Sequence, residues 1–174
     1  MPAPTRVAVQ GRSATGRYIY RAKQPSARPR AAGAEHATVV RALGEHRQLL
    51  SQAASALRNL AAARNELIAQ AVEDGLPLAT ISAATGENLR AVRSIALAYD
   101  DLHPSGLPRN TQLELLQQRS EELRSAEVSR DRIMERREAL IVLAHRNQVC
   151  DDLELASLTG LTPDHIRRAT RVRR

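Results

Sequence analysis

The 174-residue chain is long enough for one domain or two small ones, and it is 43% hydrophobic yet only 2% aromatic, with three Tyr, no Phe and no Trp. Enough apolar content for a core excludes a wholly disordered chain, and a core made of Leu, Ile, Val and Ala suits closely packed helices. The net charge of +7 is unevenly spread: residues 1–36 hold seven bases against Glu35, residues 165–174 hold five Arg and no acid, and the stretch between has 14 bases and 18 acids. Basic ends around a mildly acidic middle point to a polyanionic partner.

In chain order, residues 1–36 are rich in Pro, Gly, Ser and Arg and read as a basic arm. "TRVAVQ" and "RYIYRA" flank "GRSATG" with the alternation of a small hairpin. "SARPRA" places Arg28 and Arg30 as candidate minor-groove contacts beside a helical reader. From Thr38 a helical stripe runs through Val40, Leu43, Leu50, Ala54, Leu57, Ala61, Arg64, Ile68 and Ala71. It ends at "EDGLP", where Gly75 caps and Pro77 stops the helix. A second long helix follows "DLHPSGLPRN", with Thr111 and Glu114 spaced as a capping box. Its stripe is Leu113, Leu116, Leu123, Ala126, Ile133, Leu140, Ile141 and Ala144, interrupted by Arg130 and Arg137, and it ends near Asn147.

The two halves are one unit repeated. "ARNELIAQA" matches "RREALIVLA" at a separation of 73, and "ISAATG" matches "LASLTG" at 74, so the second copy has gained one residue in the intervening turn. The predicted fold is therefore all-α, with a long helix and two short ones occurring twice. Its parts are a basic arm (1–36), a first repeat (37–103), a linker (104–110) and a second repeat with a basic tail (111–174).

The second copy carries the clearest pattern. Ala156 is small where a second helix crosses, and Gly160 supplies the positive φ of a turn. Leu155, Leu161 and Ile166 plug the angle between the two helices. Thr162 caps the next helix, Pro163 pre-sets its first turn, and Asp164 suits the positive end of its dipole. In this order, "LELASLTGLTPDHIRRATR" resembles the helix-turn-helix superfamily of bacterial DNA-binding proteins. The first copy, "ATISAATGENLRAVRSIA", keeps the frame at Ile81, Gly86, Val92 and Ile95. It departs at Ser82, where Ala is usual, and at Glu87, where the turn normally holds an apolar plug. The resemblance covers about twenty residues per copy and points to no particular family within the superfamily.

It implies that each second helix enters a major groove of double-stranded DNA. The outward residues of the second copy are Thr162, Asp164, His165, Arg167, Arg168 and Arg171, whose arginines suit guanine edges or phosphate. Those of the first are Asn88, Arg90, Ala91, Arg93 and Ser94, with Arg90 and Arg93 the leading candidates. Asp164 serves equally as a helix-end charge, and His165 reads better as a polar surface residue. Two copies in one chain mimic a dimer of readers. The long helices pair antiparallel within the chain, with Ala53, Ala54, Ala61 and Ala62 allowing close approach, or each stripe pairs across a homodimer; periodicity leaves both open.

No enzyme site is evident. The five His have no metal-ligand spacing, Cys150 has no base nearby in sequence, there is no glycine-rich phosphate loop, and no cofactor is called for. "VCDDLE" supplies Asp151, Asp152 and Glu154 where a helix cap is needed. One cysteine allows no intramolecular disulfide and fits a reducing cytosol. No stretch approaches the roughly eighteen apolar residues of a membrane span, and Met1 precedes no signal-peptide core. The expectation is a cytoplasmic, nucleoid-associated regulator of transcription that recognises specific DNA sequences. An architectural or packaging DNA binder, resembling a nucleoid protein or a terminase small subunit, and a coiled-coil protein adaptor are the alternatives. Arg outnumbers Lys 25 to 1, as GC-rich bacterial or phage coding favours.

Overall fold

The computed structural model describes residues 30–99 and 102–171. All the regular structure among them is helical: α1 (Arg30–Glu73), α2 (Leu78–Thr85), α3 (Leu89–Ala96), α4 (Arg109–Arg146), α5 (Asp152–Thr159) and α6 (Pro163–Arg171). The order long, short, short thus occurs twice. The proposed hairpin and Arg28 lie outside the described residues.

Two boundaries differ from expectation. Helix α1 begins at Arg30 rather than near Thr38, so the last seven residues assigned to the arm are helical. Ala31, Ala32 and Ala34 there favour helix as a lone Gly33 does not oppose strongly. Helix α4 begins at Arg109 behind Pro108, with no side-chain cap, so Thr111 and Glu114 lie inside the first turns instead of forming a capping box. Proline has already set φ to −57° at that point, and the chain turns into the helix three residues before a Thr111 cap would have started it.

Helices α1 and α4 pack antiparallel, as their two buried clusters show. Val39 and Leu43, near the start of α1, join Ile141 and Ala144 at the end of α4, together with Val149, Leu155 and Ile166. Ile68 and Ala71, at the end of α1, join Leu116 near the start of α4, together with Leu76, Ile81 and Val92. Each long helix therefore contributes to both ends of the molecule.

The clusters are the same core twice. Ile68, Ala71, Leu76, Ile81 and Val92 correspond through the repeat to Ile141, Ala144, Val149, Leu155 and Ile166. Leu116, lent to the N-terminal lobe by α4, corresponds to Leu43, lent to the C-terminal lobe by α1. The fold is thus a dimer-like arrangement within one chain. Between the lobes lies a waist of two helices, where residues 44–67 and 124–140 all keep some exposure. Leu43 and Ile68 are 25 residues apart on one helix, which separates the two cores by about 37 Å.

Candidate nucleic-acid interface

Each lobe presents a pair of short helices joined by a turn. In the N-terminal lobe α2 ends at Gly86, whose φ of 77° is left-handed, and the equivalent Gly160 ends α5 at 72°. A positive φ is cheap only for glycine, which explains the residue at both places. Thr85 and Thr159 are buried, and their hydroxyls donate to the carbonyls of Ile81 (2.8 Å) and Leu155 (2.6 Å). The same hydroxyls accept from the amides of Glu87 and Leu161, both at 3.3 Å, so one threonine satisfies the turn from within.

The second short helix of each pair has an oxygen-bearing cap. Asn88 Oδ1 accepts from the Ala91 amide at 2.9 Å. Thr162 Oγ1 accepts from the His165 amide at 3.3 Å. One apolar residue anchors each helix, Val92 in α3 and Ile166 in α6, both with no exposed surface. Asp151 caps α5 by accepting from the Glu154 amide at 2.8 Å, as the acidic run suggested.

On this framework Thr162, Asp164, Arg167, Arg168 and Arg171 are exposed on α6 or its cap, and His165 is half-buried. Asn88, Arg90, Arg93 and Ser94 are exposed on α3 or its cap, and Ala91 is half-buried. Arg30 is the first residue of α1. The structure thus groups the candidates into two separate faces, one per lobe.

The faces differ electrostatically. Arg167 is held by two carboxylates, with Nη1 3.0 Å from Asp164 Oδ1 and Nε 3.3 Å from Asp152 Oδ2. Asp152 also lies 3.2 Å from His145 Nε2. Arg168 Nε reaches the Asp164 carbonyl at 3.4 Å. Among the described residues no hydrogen bond or ion pair holds the side chain of Arg90, Arg93 or Arg171. Arg168 and Arg171 also sit in the last turn of α6, where a cation is favoured by the helix dipole whatever else it does.

The departures of the first copy have structural reasons. Ser82 Oγ donates to the Glu87 carbonyl at 2.6 Å, so the hydroxyl bridges the turn where Ala156 merely fits. Glu87, in place of the apolar plug Leu161, forms an ion pair with Arg64 at 2.8 Å. In the N-terminal lobe Asp74 accepts from the Ser105 amide (2.6 Å) and hydroxyl (2.5 Å), from Gln112 Nε2 (2.8 Å) and from Gln70 Nε2 (3.2 Å). The Ser105 hydroxyl is the main cause that holds its carboxyl below the usual value, against the opposing effect of burial.

Sequence spacing gave no sign of two further features. A groove of about 960 Å³ between α4, α5 and α6 is lined by His145, Arg146, Cys150, Asp152, Arg167 and Thr170 among others. Nearby, His36 Nε2 lies 2.5 Å from Glu154 Oε1, with the Cys150 sulfur in the same cluster. His36 is 118 residues from Glu154, far beyond any local pattern. No family model, curated protein or solved structure matches this chain. No helix among the described residues is long and apolar enough to cross a membrane.

Proposed function

We propose that the protein binds double-stranded DNA through two helix-turn-helix units, α2–α3 and α5–α6, and acts as a sequence-specific regulator of bacterial or phage transcription. The observation that carries this reading is the placement of two equivalent short-helix pairs at opposite ends of an antiparallel pair of long helices. Their cores are about 37 Å apart, close to the roughly 34–36 Å between successive major grooves on one side of B-DNA. A dimer of readers ordinarily meets that spacing with two chains; here one chain carries both units.

In this reading α3 and α6 are the recognition helices. Arg167, Arg168 and Arg171 contact guanine edges or phosphates from α6, and Arg90 and Arg93 do so from α3. Asn88 and Thr162 hold the helix starts, and their neighbours Ser94 and His165 complete the polar faces. Asp152 and Asp164 keep Arg167 extended in a fixed place until DNA displaces them. The basic N-terminal segment that includes Arg28 and Arg30 supplies further phosphate contact, and it adds salt dependence.

The test is recovery of sheared genomic DNA by the full chain at physiological salt, followed by sequencing. A few sharp peaks sharing a two-part motif are expected, and the Arg167→Ala/Arg168→Ala double variant should lose them while retaining helicity. Uniform recovery would replace the regulator by an architectural binder, and no recovery would overturn DNA binding altogether.

A further inference from the structure

We propose that His36, Cys150 and Glu154 form a binding site for a divalent transition-metal ion of the Zn²⁺ type, one per chain, in the C-terminal lobe. The three potential ligand atoms, the His36 ring nitrogen, the Cys150 sulfur and a Glu154 oxygen, lie within 4.8 Å of one another. Around a tetrahedral zinc ion, with bonds of about 2.0–2.3 Å, such atoms sit roughly 3.3–3.6 Å apart. The ion would open the 2.5 Å His36–Glu154 contact by about an ångström and draw the thiolate inward. That is a side-chain adjustment and leaves the helices in place.

The donor set identifies the class of ion. A thiolate with an imidazole selects zinc-like metals over Mg²⁺ and Ca²⁺, which prefer all-oxygen shells. Three protein ligands leave a fourth position for water or an added ligand. Cys150 is only 3% exposed, so the third donor comes from the buried side of the cluster. The side chains of His36 and Glu154 are 29% and 32% exposed, so a small ion can enter from their side.

The repeat supplies an independent argument. Cys150 is the one residue that the second copy has gained between Val149 and Asp151, a stretch that in the first copy passes directly from Leu76 to Pro77. At the equivalent place in the N-terminal lobe stand Arg109 and Thr80, with Nη2 3.4 Å from Oγ1, and no cysteine. A guanidinium and a neutral hydroxyl supply none of the thiolate, imidazole or carboxylate donors of a zinc-type site, so the expected stoichiometry is one rather than two. Bound metal would join the start of α1 to α5 and stabilise the C-terminal lobe by mass action. The inference concerns the metal alone and stands whether or not the protein binds DNA.

The experiment uses the full chain, stripped with chelator and kept in a non-thiol reductant, and titrates it with Zn²⁺ by calorimetry and with Co²⁺ by absorption. Saturation at one ion per chain is expected, with a thiolate-to-cobalt charge-transfer band and a rise in Tm on adding Zn²⁺. Cys150→Ser should abolish the band. His36→Gln and Glu154→Gln should each weaken binding at least about tenfold, whereas His46→Gln should leave it unchanged. His36 and Glu154 are partly exposed, so those two variants carry the test if Cys150→Ser does not fold. Absence of saturable binding, or binding that His36→Gln and Glu154→Gln leave intact, would overturn the site and leave a His36–Glu154 hydrogen bond.

Discussion

In the N-terminal lobe Glu87 occupies the turn between the short helices and pairs with Arg64; in the C-terminal lobe the equivalent residues are Leu161 and Arg137. Leu161 packs on the apolar core. The Nε of both arginines is buried with no hydrogen-bond partner, but only Arg64 has an ion-pair partner, through Nη1 to Glu87, among the described residues. Burial lowers the Arg137 pKa, and Glu138 acts against that shift. Around six shared core positions, the N-terminal lobe has Gln112 and Ser82 where the C-terminal lobe buries Val39 and Ala156. At these positions one lobe is closed by polar bridges and the other by apolar packing, while the polar contacts of the C-terminal lobe, His36–Glu154 and Arg167–Asp152, lie elsewhere. The difference teaches that the buried apolar frame decides the fold, while the polar residues around it are exchangeable and set what each lobe presents.

The sharing of long helices is the feature easiest to break. Leu43 and Leu116 are fully buried, each in the lobe opposite to its own short helices. Leu43→Ala should cost about 2–5 kcal/mol and speed hydrogen exchange in α5 and α6. Leu116→Ala should cost a similar amount and speed exchange in α2 and α3. Denaturant melts with amide exchange measure both, and exchange rising instead in the short helices of the same repeat would contradict the antiparallel assignment.

The two arginines should respond in opposite senses. Arg64→Met leaves Glu87 partly buried without its partner, and a loss of about 1–2 kcal/mol is expected. Arg137→Met removes a desolvated cation that has no ion-pair partner among the described residues, so stability should hold or rise. Equal losses from both in urea unfolding would show that the Arg64–Glu87 pair contributes nothing beyond its packing.

A smaller contrast lies at the end of each long helix. Gly75 has a φ of 79°, and its counterpart Gln148 adopts 56°, the left-handed region that a side chain disfavours. Gln148→Gly should therefore raise stability by up to about 1 kcal/mol. Gly75→Ala should lower it by a similar amount through backbone strain alone, because no atom lies within 4 Å of an added Cβ. A Tm that falls for Gln148→Gly would show that the glutamine side chain has a role of its own.

Much of this architecture is legible in the sequence because it is local. The apolar stripes, Gly75, Gly86 and Gly160 as left-handed residues, and Asp151 and Thr162 as helix starts all follow from spacing within a few residues. The repeat itself locates α2–α3 and α5–α6. Side chains that meet across the fold were not legible. Gln112 and Ser120 look like polar interruptions of the α4 stripe, yet both are buried, Gln112 through Asp74 and Ser120 by donating to the Leu116 carbonyl at 2.7 Å. Val39 sits one position off the stripe read from Val40 and is nonetheless in the core. His36 joins Cys150 and Glu154 only because α1 runs antiparallel to α4, and the stripe alone left that pairing open.

The most direct measurement of the central claim, that the waist spaces two readers, is the affinity of the full chain for its selected two-part site before and after inserting about five base pairs, half a helical turn, between the half-sites. The account predicts that the insertion rotates one half-site to the far side of the duplex and lowers affinity by roughly tenfold or more, as losing one set of base contacts would. Affinity unchanged by the insertion, or an isolated half-site bound as tightly as the pair, would contradict it.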